Sequence, residues 1–286
     1  MFDRTTLGRR ALKGAMLLRK KLTIPQDAPI CIYDFAEAHE VLVWFTGGSS
    51  FGGMYSKEKN TILVPALRNS PRQVFTAAHE LGHWFFNHGT KADDLHTIGC
   101  AEADSEDELL VNLFAGHLLM PIHCLKNEFG RRHITIQVCT PIEIYRVASQ
   151  LGVGYQTLVN QLYYTFEMIN QDHFKALSKA TPKSIRSEVL PNKIATDHLI
   201  YADAQWDNSI AIDLQVGDCA YVPCQLDKHD KNFSILSHNQ HGCLIQASNQ
   251  GISIIDSENG WTNSLRVSRK EFSGRSIHRH FGDPDD

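Results

Sequence analysis

Apolar positions along the chain change their pattern near residue 190. Upstream they recur at the three- and four-residue spacing of amphipathic helices; downstream they fall into short alternating runs divided by turn residues. The spacing predicts a helix of mixed polarity over residues 5–20. The apolar run from Ala36 to Phe45 predicts a helix, or a helix passing into a strand. Gly47 to Gly53 forms a turn region, and Thr61-Ile62-Leu63-Val64 has strand character that stops at Pro65.

The next segment is the best specified. Ser70 is placed to cap a helix, with Pro71 at the first helical position and Gln73 at the capping-box position. The helix is expected to run to His88, with Gly89 as its stop. A polar, acidic linker covers 91–107. A second helix begins near Ser105, carries Leu109, Leu110, Phe114, Leu118 and Leu119, and ends where Pro121 follows Met120. Thr140-Pro141-Ile142-Glu143 repeats the capping pattern; a helix, the Gly152-Val153-Gly154 turn and a second helix from Tyr155 to about Ile169 then make a helix-turn-helix shape.

Beyond Pro191, runs such as Ala220-Tyr221-Val222, Phe233-Ser234-Ile235-Leu236 and Gly251-Ile252-Ser253-Ile254-Ile255 predict a small β-rich domain. The expected class is α+β. Its parts are a helical core with a small sheet over 1–130, a helix-turn-helix-like segment over 131–190 and a β-rich domain over 191–286. The end, Gly282 to Asp286, is expected to fray.

One pentapeptide carries chemistry. Residues 79–83 read His-Glu-Leu-Gly-His, and histidines at i and i+4 share one helix face, where both imidazoles can reach a single ion. Glu80 then lies beside the open coordination position as a candidate general base. The independently predicted helix around the motif supplies the context that it needs. Two histidines do not complete a catalytic zinc site, which takes three protein ligands and keeps a fourth position for water. On the second helix Glu108 and Asn112 share a face within an apolar stretch, where a carboxylate and an amide need partners. Glu108 is the favoured third ligand, with Glu106 and Asp107 as alternatives, and Asn112 is placed to orient a ligating histidine. Glu102 and Asp104 read as solvated linker. His88, His117, Tyr145 and Tyr155 could assist an oxyanion but have structural roles available. His88 suits a helix C-terminus, and Cys100 reads as a plain thiol.

Composition narrows the classes that remain. The 286 residues are 42% hydrophobic and 21% charged with a net charge of −4, which is globular and without a basic signature for nucleic acid. The helix Tyr155-Gln-Thr-Leu-Val-Asn-Gln-Leu-Tyr-Tyr lacks any lysine or arginine for phosphate, so the helix-turn-helix shape is not expected to read DNA. Seven scattered cysteines without a Cys-x-x-Cys pair fit reduced thiols. No uninterrupted apolar run approaches the ~18–20 residues of a membrane span, and the N-terminus lacks a secretory pattern. A cytoplasmic location is expected. Asp227 to Lys231 and His278-Arg279-His280 are expected to be exposed turns and tail.

The segment Phe75-Thr76-Ala77-Ala78-His79-Glu80-Leu81-Gly82-His83-Trp84, followed by Glu108 to Pro121 (Glu-Leu-Leu-Val-Asn-Leu-Phe-Ala-Gly-His-Leu-Leu-Met-Pro), resembles the ImmA/IrrE family of metallopeptidases. Val111 stands where that family usually has alanine, and Leu110 where a second acid is common. The family's metal-binding glutamate falls on Glu108. The likeness extends more loosely from about residue 30 to 170. It implies a zincin-like metallopeptidase domain with one catalytic zinc. It also implies a protein substrate, a small helix-turn-helix regulator or antitoxin, cut to release a stress, mobile-element or defence response. The competing expectation is a catalytically silent, zinc-containing sensor or binding module.

Overall fold

The structure, a computed structural model, describes residues 3–47, 52–93, 105–191, 194, 196–227, 229–257 and 260–281. Internal contacts divide the chain into two compact units, Met1–Asn127 with Glu271–Ile277 and Glu128–Lys270 with His278–Asp286.

The first unit opens with α1 (Arg4–Lys21), capped by the Asp3 carboxylate on the amides of Thr5 and Thr6. It continues through α2 (Ile32–Ala38), β1 (Leu42–Thr46), β2 (Gly53–Ser56), β3 (Thr61–Pro65), α3 (Ser70–Phe85), β4 (Lys91–Asp93) and α4 (Glu106–Leu119). Helix α5 (Ile122–Arg131) starts there. The apolar run from Ala36 thus resolves as a helix followed by a strand. Strands β1 and β3 pair in parallel, with Val43 opposite Ile62; β2 joins β3 antiparallel and β4 joins β2. The other edge is closed by a two-residue strand from far along the sequence, Gly274–Arg275, antiparallel to β1. Arg275 Nη2 lies 2.6 Å from Glu37 Oε2, and the Ser273 hydroxyl donates to the Phe45 carbonyl at 3.2 Å. Val43, Phe45, Tyr55, Ile62 and Val64 are buried. The period-2 alternation of the strands turns them to the side that α3 covers.

Helix α1 packs on α4 with Leu7, Ala11, Ala15 and Leu18, a stripe at helical spacing. Arg19 extends that stripe and is fully buried. Its Nε and Nη2 both donate to the Leu118 carbonyl, at 3.2 and 2.9 Å, and its Nη1 donates to the carbonyls of Pro25 and Ala28, each at 2.9 Å. The last carbonyls of a helix lack partners in its own ladder, and with α4 ending at Leu119 the guanidinium supplies donors to the Leu118 carbonyl. Glu106–Arg131 is apolar and long enough to cross a membrane, yet most of it is buried within the protein, as in a core helix.

The second unit holds α6 (Pro141–Gln150), α7 (Tyr155–Asn160), α8 (Gln171–Leu177) and α9 (Pro182–Val189). The Thr140 amide donates to Glu143 Oε2 at 2.7 Å, the capping contact that the sequence predicts. The helix expected to reach Ile169 is shorter: α7 ends at Asn160 and passes into a π-helical turn, Gln161–Thr165. Seven strands follow: β5 (Leu199–Tyr201), β6 (Ile212–Gln215), β7 (Cys219–Val222), β8 (Phe233–Asn239), β9 (Gly242–Ala247), β10 (Gly251–Asp256) and β11 (Thr262–Ser268). They form a four-stranded sheet, β5-β7-β9-β8, and a three-stranded one, β10-β11-β6, around a core that includes Trp206, Leu214, Ile245 and Leu265. Gly274–Arg275 is β12 in chain order. The architecture is α+β.

Of His278-Arg279-His280, only His278 is exposed as expected. Arg279 and His280 are buried, with Arg279 Nη2 3.1 Å and Arg266 Nη2 2.7 Å from Asp213 Oδ2. Burial alone would raise the Asp213 carboxyl, but Arg279 and Arg266 overcome it and hold the group down at about 2. Cys31, Cys124, Cys139, Cys219, Cys224 and Cys243 are free thiols. Cys100, Glu102 and Asp104, the tip of the Gly47–Gly53 turn and Gly282 to Asp286 lie outside the described residues.

Candidate metal centre

Helix α3 begins one residue earlier than the sequence suggests. Asn69 is the cap, its side-chain oxygen accepting from the Arg72 amide at 3.2 Å, while Pro71 sits in the first turn. Gln73 is turned inward instead, its Nε2 donating to the Ala66 carbonyl at 2.9 Å, which ties the helix to the end of β3. The helix stops at Phe85, so His88 is not helical. Helix α4 starts where expected: Ser105 caps it, its hydroxyl accepting from the Glu108 amide at 3.2 Å.

The two helices meet at Gly82, inside the pentapeptide. A Cβ built there would stand 3.0 Å from Val111 Cβ and 3.1 Å from Phe114 Cδ1, so only the smallest residue allows α4 this close. That approach aligns the i, i+4 pair of α3 with the i, i+4 pair of α4.

His79, His83 and Glu108 come together and are all buried. His79 Nε2 and His83 Nε2 are 3.2 Å apart, His79 Nε2 is 3.2 Å from Glu108 Oε2, and His83 Nε2 is 3.5 Å from Glu108 Oε1. Tetrahedral zinc with ligand bonds of about 2.0–2.1 Å separates neighbouring donors by roughly 3.3–3.4 Å, so the spacing fits one ion. The hydrogen bonds agree. His79 Nδ1 lies 2.9 Å from Asn112 Oδ1. An amide oxygen only accepts, so the ring proton sits on Nδ1 and Nε2 presents a lone pair to its neighbours. A lone pair and a carboxylate facing each other at 3.2 Å in a buried site repel, and a cation between them reverses that sign.

Among the alternatives for the third ligand, Glu106 is exposed. Asp107 is half exposed, with its Oδ1 3.4 Å from His88 Nε2. Glu108 is the carboxylate that joins the histidines. Glu80 is fully buried beside β2, whose backbone passes against its carboxylate at Gly53. His117 is buried on α4, and burial pushes it down to about 4. Tyr145 and Tyr155 are committed within the second unit, donating to the carbonyls of Leu199 and Leu177 at 2.6 and 2.8 Å.

Two participants escape a reading of the sequence. Gly53 bounds the Glu80 carboxylate from a turn that reads only as flexible, and His88, assigned there to a helix end, stands against His83 with Nδ1–Nδ1 3.0 Å.

Two histidines from one helix and a glutamate from the next, with a second glutamate beside them on an α+β scaffold, define a metallopeptidase-like domain. Residues 36–163 match the Peptidase M78 family, described as the IrrE N-terminal-like domain. No match was found among curated proteins.

Proposed function

We propose that the chain is a zinc-dependent endopeptidase that cuts a partner regulator, a small helix-turn-helix repressor or antitoxin, in the cytoplasm. His79, His83 and Glu108 hold the ion, Glu80 acts on protons, and Asn112 fixes the His79 ring. Zinc is the metal that two imidazoles and one carboxylate favour, and when bound it supplies Lewis-acid polarisation of water and of a peptide carbonyl.

The remaining work falls to the chain's own residues. The Glu80 carboxylate takes a proton from the attacking water at one of its oxygens and returns it to the leaving nitrogen. Its complete burial keeps bulk water from competing for that proton. Asn112 holds His79 with Nε2 aimed inward, which fixes both tautomer and ring plane.

The observation that carries this reading is the convergence of three buried side chains at the separations of a shared ion, with an acid next to the first of them in sequence. A closed structural site would use a fourth protein ligand and no base. The test is to incubate the protein with candidate small helix-turn-helix regulators, with and without a chelator, and to sequence the fragments. Cleavage at one bond is expected, lost with the chelator and lost in Glu80→Gln, which should still bind one zinc. Unimpaired cleavage by Glu80→Gln would remove the base from the mechanism.

A further inference from the structure

The end of α3 folds back on the site. Asn87 has φ 56°, the left-handed conformation that asparagine tolerates better than most residues with a side chain. The Asn87 amide donates to the Trp84 carbonyl at 3.1 Å, and the His88 amide donates to the His83 carbonyl at 2.9 Å. Together these bonds make a Schellman turn. The backbone of residue 88 is thereby pinned to the carbonyl of residue 83, and the two side chains meet, His88 Nδ1 lying 3.0 Å from His83 Nδ1. The side chain of His88 is only 9% exposed. Its far nitrogen, Nε2, faces Asp107 Oδ1 at 3.4 Å, and Asp107 precedes Glu108 in the first turn of α4.

Hydrogen-bond chemistry gives this chain of groups one direction. A carboxylate only accepts, so His88 carries its proton on Nε2, towards Asp107. The Nδ1 of His88 is then an acceptor, so the shared bond must use a proton on His83 Nδ1. That tautomer leaves the His83 Nε2 lone pair directed at His79 and Glu108. We infer that His88, backed by Asp107, is the positioning residue for His83, locking its tautomer and ring plane for metal binding as Asn112 does for His79. The inference rests on the metal-binding reading given above. It makes the support of the two histidines unequal: one leans on an amide of the neighbouring helix, the other on a histidine–aspartate pair that joins the end of α3 to the start of α4.

Outer partners of ligating histidines are worth about 10–100-fold in metal affinity. The test uses the full-length chain, with zinc affinity measured by chelator competition and the visible absorption of the cobalt-loaded protein recorded alongside. His88→Ala should weaken zinc binding about 10–100-fold and alter the cobalt spectrum. His88→Asn, whose side-chain oxygen can still accept from His83 Nδ1, should recover part of the loss. Asp107→Asn should weaken binding by a smaller factor, because an amide can present N–H to His88 Nε2 and favour the opposite tautomer. Circular dichroism of the metal-free variants shows whether each folds, and if His88→Ala does not, the two conservative variants decide. Affinities within twofold of wild type for the folded variants, with unchanged cobalt spectra, would overturn the inference. A wild-type chain that takes up no stoichiometric metal would instead overturn the functional reading beneath it.

Discussion

Gly53 stands so close to Glu80 that a Cβ placed on it would lie 2.4 Å from Glu80 Oε1 and 2.6 Å from Thr76 Cγ2. The first strand to pass the site therefore bounds the carboxylate with bare backbone. Gly53→Ala should displace Glu80 without touching a metal ligand. The expected outcome is at least about a tenfold fall in cleavage rate, since a misplaced group near the reacting atoms commonly costs that much or more. Zinc content should hold at one per chain, and overpacking should cost about 1–3 kcal/mol of stability. Turnover measured beside metal analysis separates these effects; an alanine variant with wild-type turnover would show that this wall does not place the base.

Arg19 is a fully buried charge in the first unit. Burial pushes its guanidinium down to about 10, which leaves it charged at neutral pH, and its bonds end on three main-chain carbonyls. Arg19→Met keeps much of the apolar stem but strands the carbonyls of Leu118, Pro25 and Ala28. The expected loss is roughly 3–5 kcal/mol, read from the urea midpoint. Arg19→Lys should not restore it, because one ammonium cannot serve acceptors spread around a planar fork. A lysine variant with the wild-type midpoint would mean that charge alone matters there.

Buried histidines should make the protein sensitive to mild acid. Burial holds His117 down at about 4, against about 6.5 in an unfolded chain. Between those values the unfolded chain binds a proton that the folded one refuses. The stability linked to His117 is therefore complete above pH 6.5 and is lost as pH falls towards 4, with a slope approaching 1.4 kcal/mol per pH unit. Asp218, which burial raises to about 6, acts in the opposite sense below pH 6, but it is common to wild type and variant and cancels in their difference. Urea midpoints of wild type and His117→Gln between pH 7.5 and 5 should diverge, the variant losing less on acidification. Parallel curves would show that His117 titrates normally in the folded protein.

The parts of this architecture legible in the sequence are those set by neighbours a few residues apart. His79 with His83, and Glu108 with Asn112, are i, i+4 pairs, so their shared faces follow from helix geometry alone. Polar groups inside an apolar helix suggest their convergence, and the structure places His79 Nδ1 2.9 Å from Asn112 Oδ1 and His79 Nε2 3.2 Å from Glu108 Oε2. The boundary of α3 was displaced by one residue because Asn69 and Ser70 are both good caps, and the choice depends on where the chain leaves β3. A separation of five from His83 falls on no common helix face, so the sequence alone matches His88 only to a helix end. Only the left-handed Asn87 turns it round. Arg279 and His280 looked like an exposed tail because Asp213 lies more than sixty residues away and nothing local announces it.

The pairing of β12 with β1 has a practical consequence. A minimal fragment cut from this chain by following the residues that match the family would end near 163 and would lack Gly274 and Arg275. Such a fragment would bare the hydrogen-bonding edge of β1 and leave Glu37 without its guanidinium, inviting the strand-to-strand aggregation that open edges promote. Expression trials would do better to keep the whole chain, or to reattach Glu271–Ile277 by a short linker, than to trust a boundary drawn from sequence similarity.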